Sequence, residues 1–493
     1  MSIILVGILF YLLFIFSIGI ILSRSVKINN SSDFITAGRQ LPLTLSTFSL
    51  FTTWFGAGTC IGAAGTSYKE GFLGVIEDPF GATLCLILAG IFLAKVLWNL
   101  NLVTLIDLFK VKFGPRVEFV AGIIMVLSYP TWIASQLLAL ATLVHLFVPV
   151  IPISIVLISS TIIITVYTMI GGMYSIAVTD FIQGIILIIG LVVTFIVIIH
   201  SQGIYIFSKV PENYYNIFPH ETGIKNWLFY IEAWCAIGLG SLPAQDLMQR
   251  VLSSKTASTA QKSCFGAGFL YFFVGLIPVL LGMFGYILIP DLKNSEFILP
   301  VLAVKFLHPL FLVLFLGALI SAIVSTADSA ILASASIITE NIIPFFNKKI
   351  EKKDSLKWCR YSVVISSFLA LSVSLSGNNI YKLETLSCTI SLSTLVAPLF
   401  LSIYWKDSTE SGILAGIISG MIVWLVGLMF KIDFPMSLIG LVISFVSIIV
   451  VSKISVKSKK IVQVVSSLDI NKEEILQTCP TPSWNENIAI KEI

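Results

Sequence analysis

Two stretches of an otherwise apolar chain carry residues fit to hold a small cation. One reads Ser321-Ala322-Ile323-Val324-Ser325-Thr326-Ala327-Asp328-Ser329, followed by Ser334 and Ser336. Hydroxyls and carbonyls are hard oxygen ligands, suited to sodium as to other hard cations. On a helix, Ser325, Thr326 and the carbonyl of Ala322 fall within one turn and can converge on one ion. Ser, Thr and Ala also favour close packing between membrane helices. The aspartate inside the run tips the balance towards function, because ionisable residues within membrane segments are rare and functional by default. The other stretch reads Thr52-Thr53-Trp54-Phe55-Gly56-Ala57-Gly58-Thr59, then Gly62 and Gly65. Glycine costs about 1 kcal/mol per helical position relative to alanine, so this run predicts a local break. Carbonyls freed at mid-membrane need a partner, and a bound cation is one. Close packing through small residues is the alternative. Trp54 sits beside these glycines, where it can wall a pocket and meet an organic cation by cation–π attraction.

Other polar groups have plainer readings. Asp180 reads as an N-cap or first-turn carboxylate favoured by the helix dipole. Asp246 lies four residues before Arg250, the spacing of a structural ion pair. Glu77 and Asp78, just before Pro79, can reach the outer interface. Glu232 lies in an apolar segment. Trp132, Trp227 and Trp234 suit an aromatic belt. His145, His200, His220 and His308 are scattered and are given no role. The seven cysteines show neither C-x-x-C nor Cys/His metal spacing, which argues against a disulfide framework or a zinc site. H-E-x-x-H, G-x-S-x-G, Walker and G-x-G-x-x-G motifs are missing, so neither an enzyme nor an ATP-driven pump is expected.

The elements that position these residues follow from composition. Of 493 residues, 57% are hydrophobic and 11% charged, too few charges for a soluble globular surface. Apolar blocks long enough to cross a bilayer predict thirteen helices, near 3–22, 42–67, 72–94, 117–147, 152–170, 177–199, 226–248, 260–289, 306–343, 358–376, 380–404, 411–430 and 432–452. The first block lacks a basic n-region and an A-x-A-like exit and reads as a retained span. With the N-terminus outside and the C-terminus inside, 23 of the 30 Lys and Arg residues fall on the cytosolic side and 7 outside, as the positive-inside rule requires. The expectation is an all-α polytopic protein of the plasma membrane. Residues after about 453 read as a cytosolic tail too short for a catalytic domain. The thinly spread net charge of +4 does not suggest nucleic acid, and nothing in the sequence reads out an oligomeric state.

Several segments together resemble the sodium/solute symporter family, which includes sodium-coupled sugar, proline, pantothenate, iodide and choline transporters. They are Ala37-Gly38-Arg39, Tyr167 to Ser175, Thr179 to Gln183, Gln249 to Ser254 and Ser321 to Ser329, and the resemblance extends to about residue 405. Within the family, the high-affinity choline transporter group is nearest in resemblance, through Thr53-Trp54, Leu86 to Leu88, Gly240 with Pro243, Gln249 to Ser254, and Ser325 to Ser329. The resemblance implies a LeuT-type core of two inverted five-helix repeats. These would be spans two to six (42–200) and seven to eleven with the span that follows (201–430). An extra first helix and cytosolic loop (1–41), a last helix (431–455) and the tail (456–493) flank them. It implies a sodium site made by the carbonyls of Thr52, Phe55 and Ala322 and the hydroxyls of Ser325 and Thr326. Asp180 matches an aspartate tied to sodium coupling, and Arg39 a cytosolic gating arginine.

For the solute, Trp54 and Trp132 match tryptophans of a choline-type pocket, and Thr59 stands where sugar-type members place a polar ligand. Ala244 replaces a further tryptophan of the choline type, and Glu77 and Asp78 replace neutral residues. The aromatic cage is thereby reduced, while the added carboxylates suit a cationic or zwitterionic solute. The expectation is a sodium-coupled symporter importing choline or a related compound, with sodium as coupling ion and no other cofactor. A proline-like amino acid, pantothenate or a sugar is the alternative solute. Protons are the alternative coupling ion, through Asp180 and Asp328. A non-transporting sensor or channel on the same scaffold is the alternative of another class.

Overall fold

Backbone groups that cross lipid must find their hydrogen bonds within the segment, which makes helices of long apolar runs. The computed structural model describes residues 31–219, 223–346, 352–376 and 379–455, with isolated positions between 7 and 18. The first predicted span and the tail after 455 otherwise lie outside the described residues. Among the described residues every regular element is helical, and the one extended contact is an isolated bridge between Leu41 and Ser254. Eight helices are long and apolar enough to cross a membrane, and Ile380–Thr394 with Val396–Tyr404, bent by 42°, makes a ninth.

The remaining predicted spans are joined or broken, each for a physical reason. The fifth and sixth form one 50-residue run, Ile153–Gln202, turned only at Gly172 (φ 65°, ψ 171°). Glycine is the residue that takes this backbone without penalty, and a Cβ there would meet the Phe34 ring at 2.8 Å. Asp180 therefore lies about two turns beyond the bend and not in a first turn, which corrects the capping reading. The second predicted span is broken as its glycines predict. Leu43–Trp54 ends where Phe55 leaves helical geometry (φ −76°, ψ 61°), and a π-helical stretch, Gly58–Ala63, leads into Ala64–Glu70. The seventh span is also broken, against expectation. Ile224–Gly238 stops, and Gln245–Ser253 starts after a turn. Pro243 in that turn has no N–H for a helical bond. A Cβ on Gly240 would come within 2.2 Å of the Ala236 carbonyl and 2.4 Å of that of Cys388. The third span begins irregularly, with Asp78 extended (φ −142°, ψ 121°) and a cis peptide bond to Pro79.

Pro309–Ile337 sits at the centre and is buried on every side from Phe315 to Ile337. It packs against Ile153–Gln202, Pro115–Phe147 and Leu43–Trp54. Its small hydroxyl residues let these neighbours approach closely, and that brings the ion-binding candidates together.

Candidate ion and solute site

The break after Trp54 faces the Ser/Thr cluster of Pro309–Ile337. Thr326 Oγ1 donates to the Ala322 carbonyl at 3.0 Å and lies 3.3 Å from the carbonyl of Thr52 on the broken helix. Ser325 Oγ donates to Asp180 Oδ1, and Ser49 Oγ donates to Asp180 Oδ2 at 2.6 Å. A hydroxyl that gives its proton to a carboxylate keeps its lone pairs for a cation. Four of the predicted sodium ligands, Thr52, Ala322, Ser325 and Thr326, thus share one buried junction. The fifth, Phe55, is the residue at which the helix breaks. Asp180 joins the junction through Ser325. The break also frees backbone donors, and Gln136 Oε1 accepts from Ala57 N at 2.9 Å. A neutral set of hard oxygens with one carboxylate behind it matches the chemistry sodium prefers.

A second constellation adjoins the first. Trp54, Tyr129, Trp132 and Tyr271 line a small cavity of about 40 Å³ together with Asp78, Asp246 and Glu384. Ala244 lines it too, and among the described residues no Lys, Arg or His does. The Trp54 indole N–H donates to Asp246 Oδ2 at 2.6 Å and the Tyr129 hydroxyl to Asp246 Oδ1 at 2.7 Å. Thr59 stands behind the wall, with its hydroxyl on Asp78 Oδ2 at 2.6 Å and beside the Tyr271 hydroxyl. Tyr271 in turn donates to the Trp54 carbonyl at 3.1 Å.

A family model described as the sodium:solute symporter family matches residues 34–420. The chain belongs to the sodium:solute symporter family. Among curated relatives it is 28% identical to the human high affinity choline transporter 1 over 86% of this chain and 76% of that protein. It is 29% identical to sodium/proline symporter 2 of Staphylococcus saprophyticus over 54% of each chain. A solved Na+-coupled sialic acid symporter superposes with a TM-score of 0.78 over 92% of this chain and 98% of its own, at 18% identity. The transporter Mhp1, of the nucleobase-cation-symport-1 family, superposes at 0.59 over 85% of this chain and 94% of its own, at 14% identity. The fold is the LeuT-type symporter fold, and the chain is a sodium-coupled symporter.

Within this symporter two plain readings of the sequence fail. Asp246 and Arg250 do not pair as carboxylate and guanidinium. Arg250 is fully buried and donates to the Asp246 backbone carbonyl at 3.2 Å and to the Ser329 hydroxyl. Asp78 does not reach the outer interface. It is 1% exposed, and Oδ1 has no hydrogen-bond partner among the described residues. Glu77 accepts from the Thr385 hydroxyl at 2.6 Å. The sequence reading also passed over Tyr129, Gln136, Tyr271 and Glu384. Glu384 carried a usable signal, being a carboxylate inside the predicted span 380–404.

Arg39 lies away from both constellations. Ala37, Gly38 and Arg39 all adopt positive φ (50°, 58° and 55°), and this tight turn aims the guanidinium at the 94–101 segment. It rests 4.3 Å from the Trp98 ring centroid and donates to the Trp98 carbonyl and the Asn101 side chain. Trp98 Nε1 donates to the Ser254 carbonyl at 2.8 Å. Burial beneath these groups lowers the Arg39 pKa from its ordinary value.

Proposed function

We propose that this symporter uses the sodium gradient to import a small organic cation, with choline as the reference solute. The observation that carries this reading is the cavity, with four aromatic rings and three carboxylates and no basic side chain. An organic cation gains from ring faces and from carboxylates alike. An anion such as pantothenate would face acids with no counter-charge, and a neutral sugar would leave the acids uncompensated. The names of the choline-transporting relatives agree with it.

Sodium enters from outside and binds between the Thr52–Phe55 break and Ala322, Ser325 and Thr326. It draws the two segments together, and because Trp54 lies within the break, it also completes the solute wall. The cavity then alternates its exposure as one part of the core rocks against the other. The two repeats, 42–200 and 201–430, supply these parts. Arg39, clasping Trp98 and Asn101, holds the cytosolic path shut until both ligands are bound. The N-terminus faces out and the C-terminus in, across the plasma membrane. The membrane potential contributes about 2.3 kcal/mol per charge per 100 mV. Coupling follows from both ligands favouring the same conformations.

The test is uptake into proteoliposomes of choline, betaine, proline, pantothenate and glucose, with and without an inward sodium gradient. Sodium-dependent accumulation of choline or another cation supports the reading. Accumulation of only an anionic or neutral solute overturns it.

A further inference from the structure

The cavity holds more acceptor capacity than a quaternary ammonium satisfies. Two of its carboxylates grip consecutive residues of the broken helix. Asp78 Oδ2 takes the Thr59 hydroxyl at 2.6 Å. Glu384 lies so close to Gly58 that a Cβ there would fall 1.5 Å from Oε2. Asp78 is 1% and Glu384 8% exposed, and both line the cavity. Asp78 Oδ1 and Glu384 Oε2 are each buried without a hydrogen-bond partner among the described residues. The third acid differs, because both Asp246 oxygens are already taken by Trp54 and Tyr129. Two unpaired carboxylate oxygens on one wall of a low-dielectric cavity are costly unless a ligand supplies hydrogens to them. Ala244 also lines the cavity, a methyl that adds no aromatic surface.

We infer that the preferred solute is an organic cation whose charged nitrogen carries hydrogens, a primary or secondary ammonium or a guanidinium, received by Asp78 Oδ1 and Glu384 Oε2. This rests on the organic-cation reading and sharpens it. A quaternary nitrogen offers only C–H groups to those oxygens and is best held by aromatic faces. An N–H cation forms charge-assisted hydrogen bonds, which are short and about twice as strong as neutral ones. Trp54 and Trp132 then pack on the carbon skeleton, and the Asp78–Glu384 wall selects the head group.

The experiment is a methylation series on the purified full chain: ethanolamine, its N-methyl and N,N-dimethyl derivatives, and choline. Sodium-dependent binding is read by tryptophan fluorescence and uptake by proteoliposome flux. Affinity should fall along the series, by about tenfold or more from ethanolamine to choline. Asp78→Asn and Glu384→Gln should each flatten the series, with ethanolamine losing more affinity than choline does. Affinity that rises with methylation overturns the inference and leaves the organic-cation reading standing. A series flat in the unaltered chain, with proton uptake accompanying transport, overturns it too, since the two acids would then share a proton and need no amine. Sodium-dependent binding of no member overturns both. The unaltered chain decides the question even if a variant misfolds.

Discussion

The Trp54 indole N–H donates to Asp246 Oδ2 across 2.6 Å, tying the helix that breaks at Phe55 to the short helix Gln245–Ser253. Both residues line the solute cavity, and Trp54 is also two residues from Thr52, whose carbonyl faces Thr326. One residue therefore joins the proposed solute wall, by its side chain, to the proposed ion junction, through its backbone. Trp54→Phe keeps most of the ring and deletes the donor. A buried carboxylate left short of a partner costs about 1–3 kcal/mol. The expected result is a rise in apparent KM for the organic cation of roughly tenfold, with the sodium dependence of uptake little changed. An equal fall in sodium affinity would instead mean that the indole holds the break itself.

The sodium junction predicts a different pattern. Thr326→Ala removes the hydroxyl that bridges the Ala322 and Thr52 carbonyls, and Ser325→Ala removes the one that leads to Asp180. Each should raise the sodium concentration for half-maximal uptake by about tenfold or more, while KM at saturating sodium moves little. Thr326→Ser restores the oxygen and should restore the sodium response. Uptake unchanged in the double alanine variant would remove these residues from the ion site.

How much of this was legible in the sequence depended on what kind of signal each residue left. The break in the second span was written in its glycines, because backbone cost is local. The Ser321–Ser329 cluster was legible because hydroxyls stand out in an apolar helix. The break before Gln245 was not, although Pro243 was visible. Its cause is the close approach of Gly240 to the carbonyl of Cys388 on a distant helix. Asp246 was misread for the same reason. Its neighbour in sequence, Arg250, suggested a pair, yet its carboxylate answers to Trp54 and Tyr129, each more than a hundred residues away. Spacing along one helix shows which groups can meet, and tertiary packing chooses among them.

Arg250 is the cation around which several buried groups are arranged. It is wholly buried and bonded to Ser329 and to the Asp246 backbone, two residues on different elements. Removing it takes a positive charge from near the buried Asp180, Asp246 and Asp328 and leaves buried acceptors short of a donor, at about 1–3 kcal/mol per group. Arg250→Met should lower the thermal unfolding midpoint in detergent and reduce the yield of folded protein. Arg250→Lys keeps the charge but loses the fork that spans two partners, so it should recover only part of the stability. A midpoint unchanged in Arg250→Met would show the guanidinium to be dispensable for the fold.

Two glycines of the broken helix bear differently on the proposed ion and solute sites. A Cβ on Gly56 would fall 2.6 Å from Gln136 Oε1, 2.7 Å from Thr326 Oγ1 and 3.0 Å from Thr326 Cβ. Gly56→Ala therefore crowds Gln136 and Thr326 together, and it should weaken the sodium response first. The three atoms nearest a Cβ on Gly58 all belong to the carboxylate of Glu384, with Oε2 at 1.5 Å. That group is the free end of a side chain, so the helix need not move. Gly58→Ala should swing Glu384 off its wall and lower solute affinity by about tenfold, with the sodium dependence of tryptophan fluorescence retained. Measuring both ligands on both variants gives a crossed pattern. If the two variants lose sodium and solute binding equally, the break acts as one rigid unit and the separation of the two sites fails.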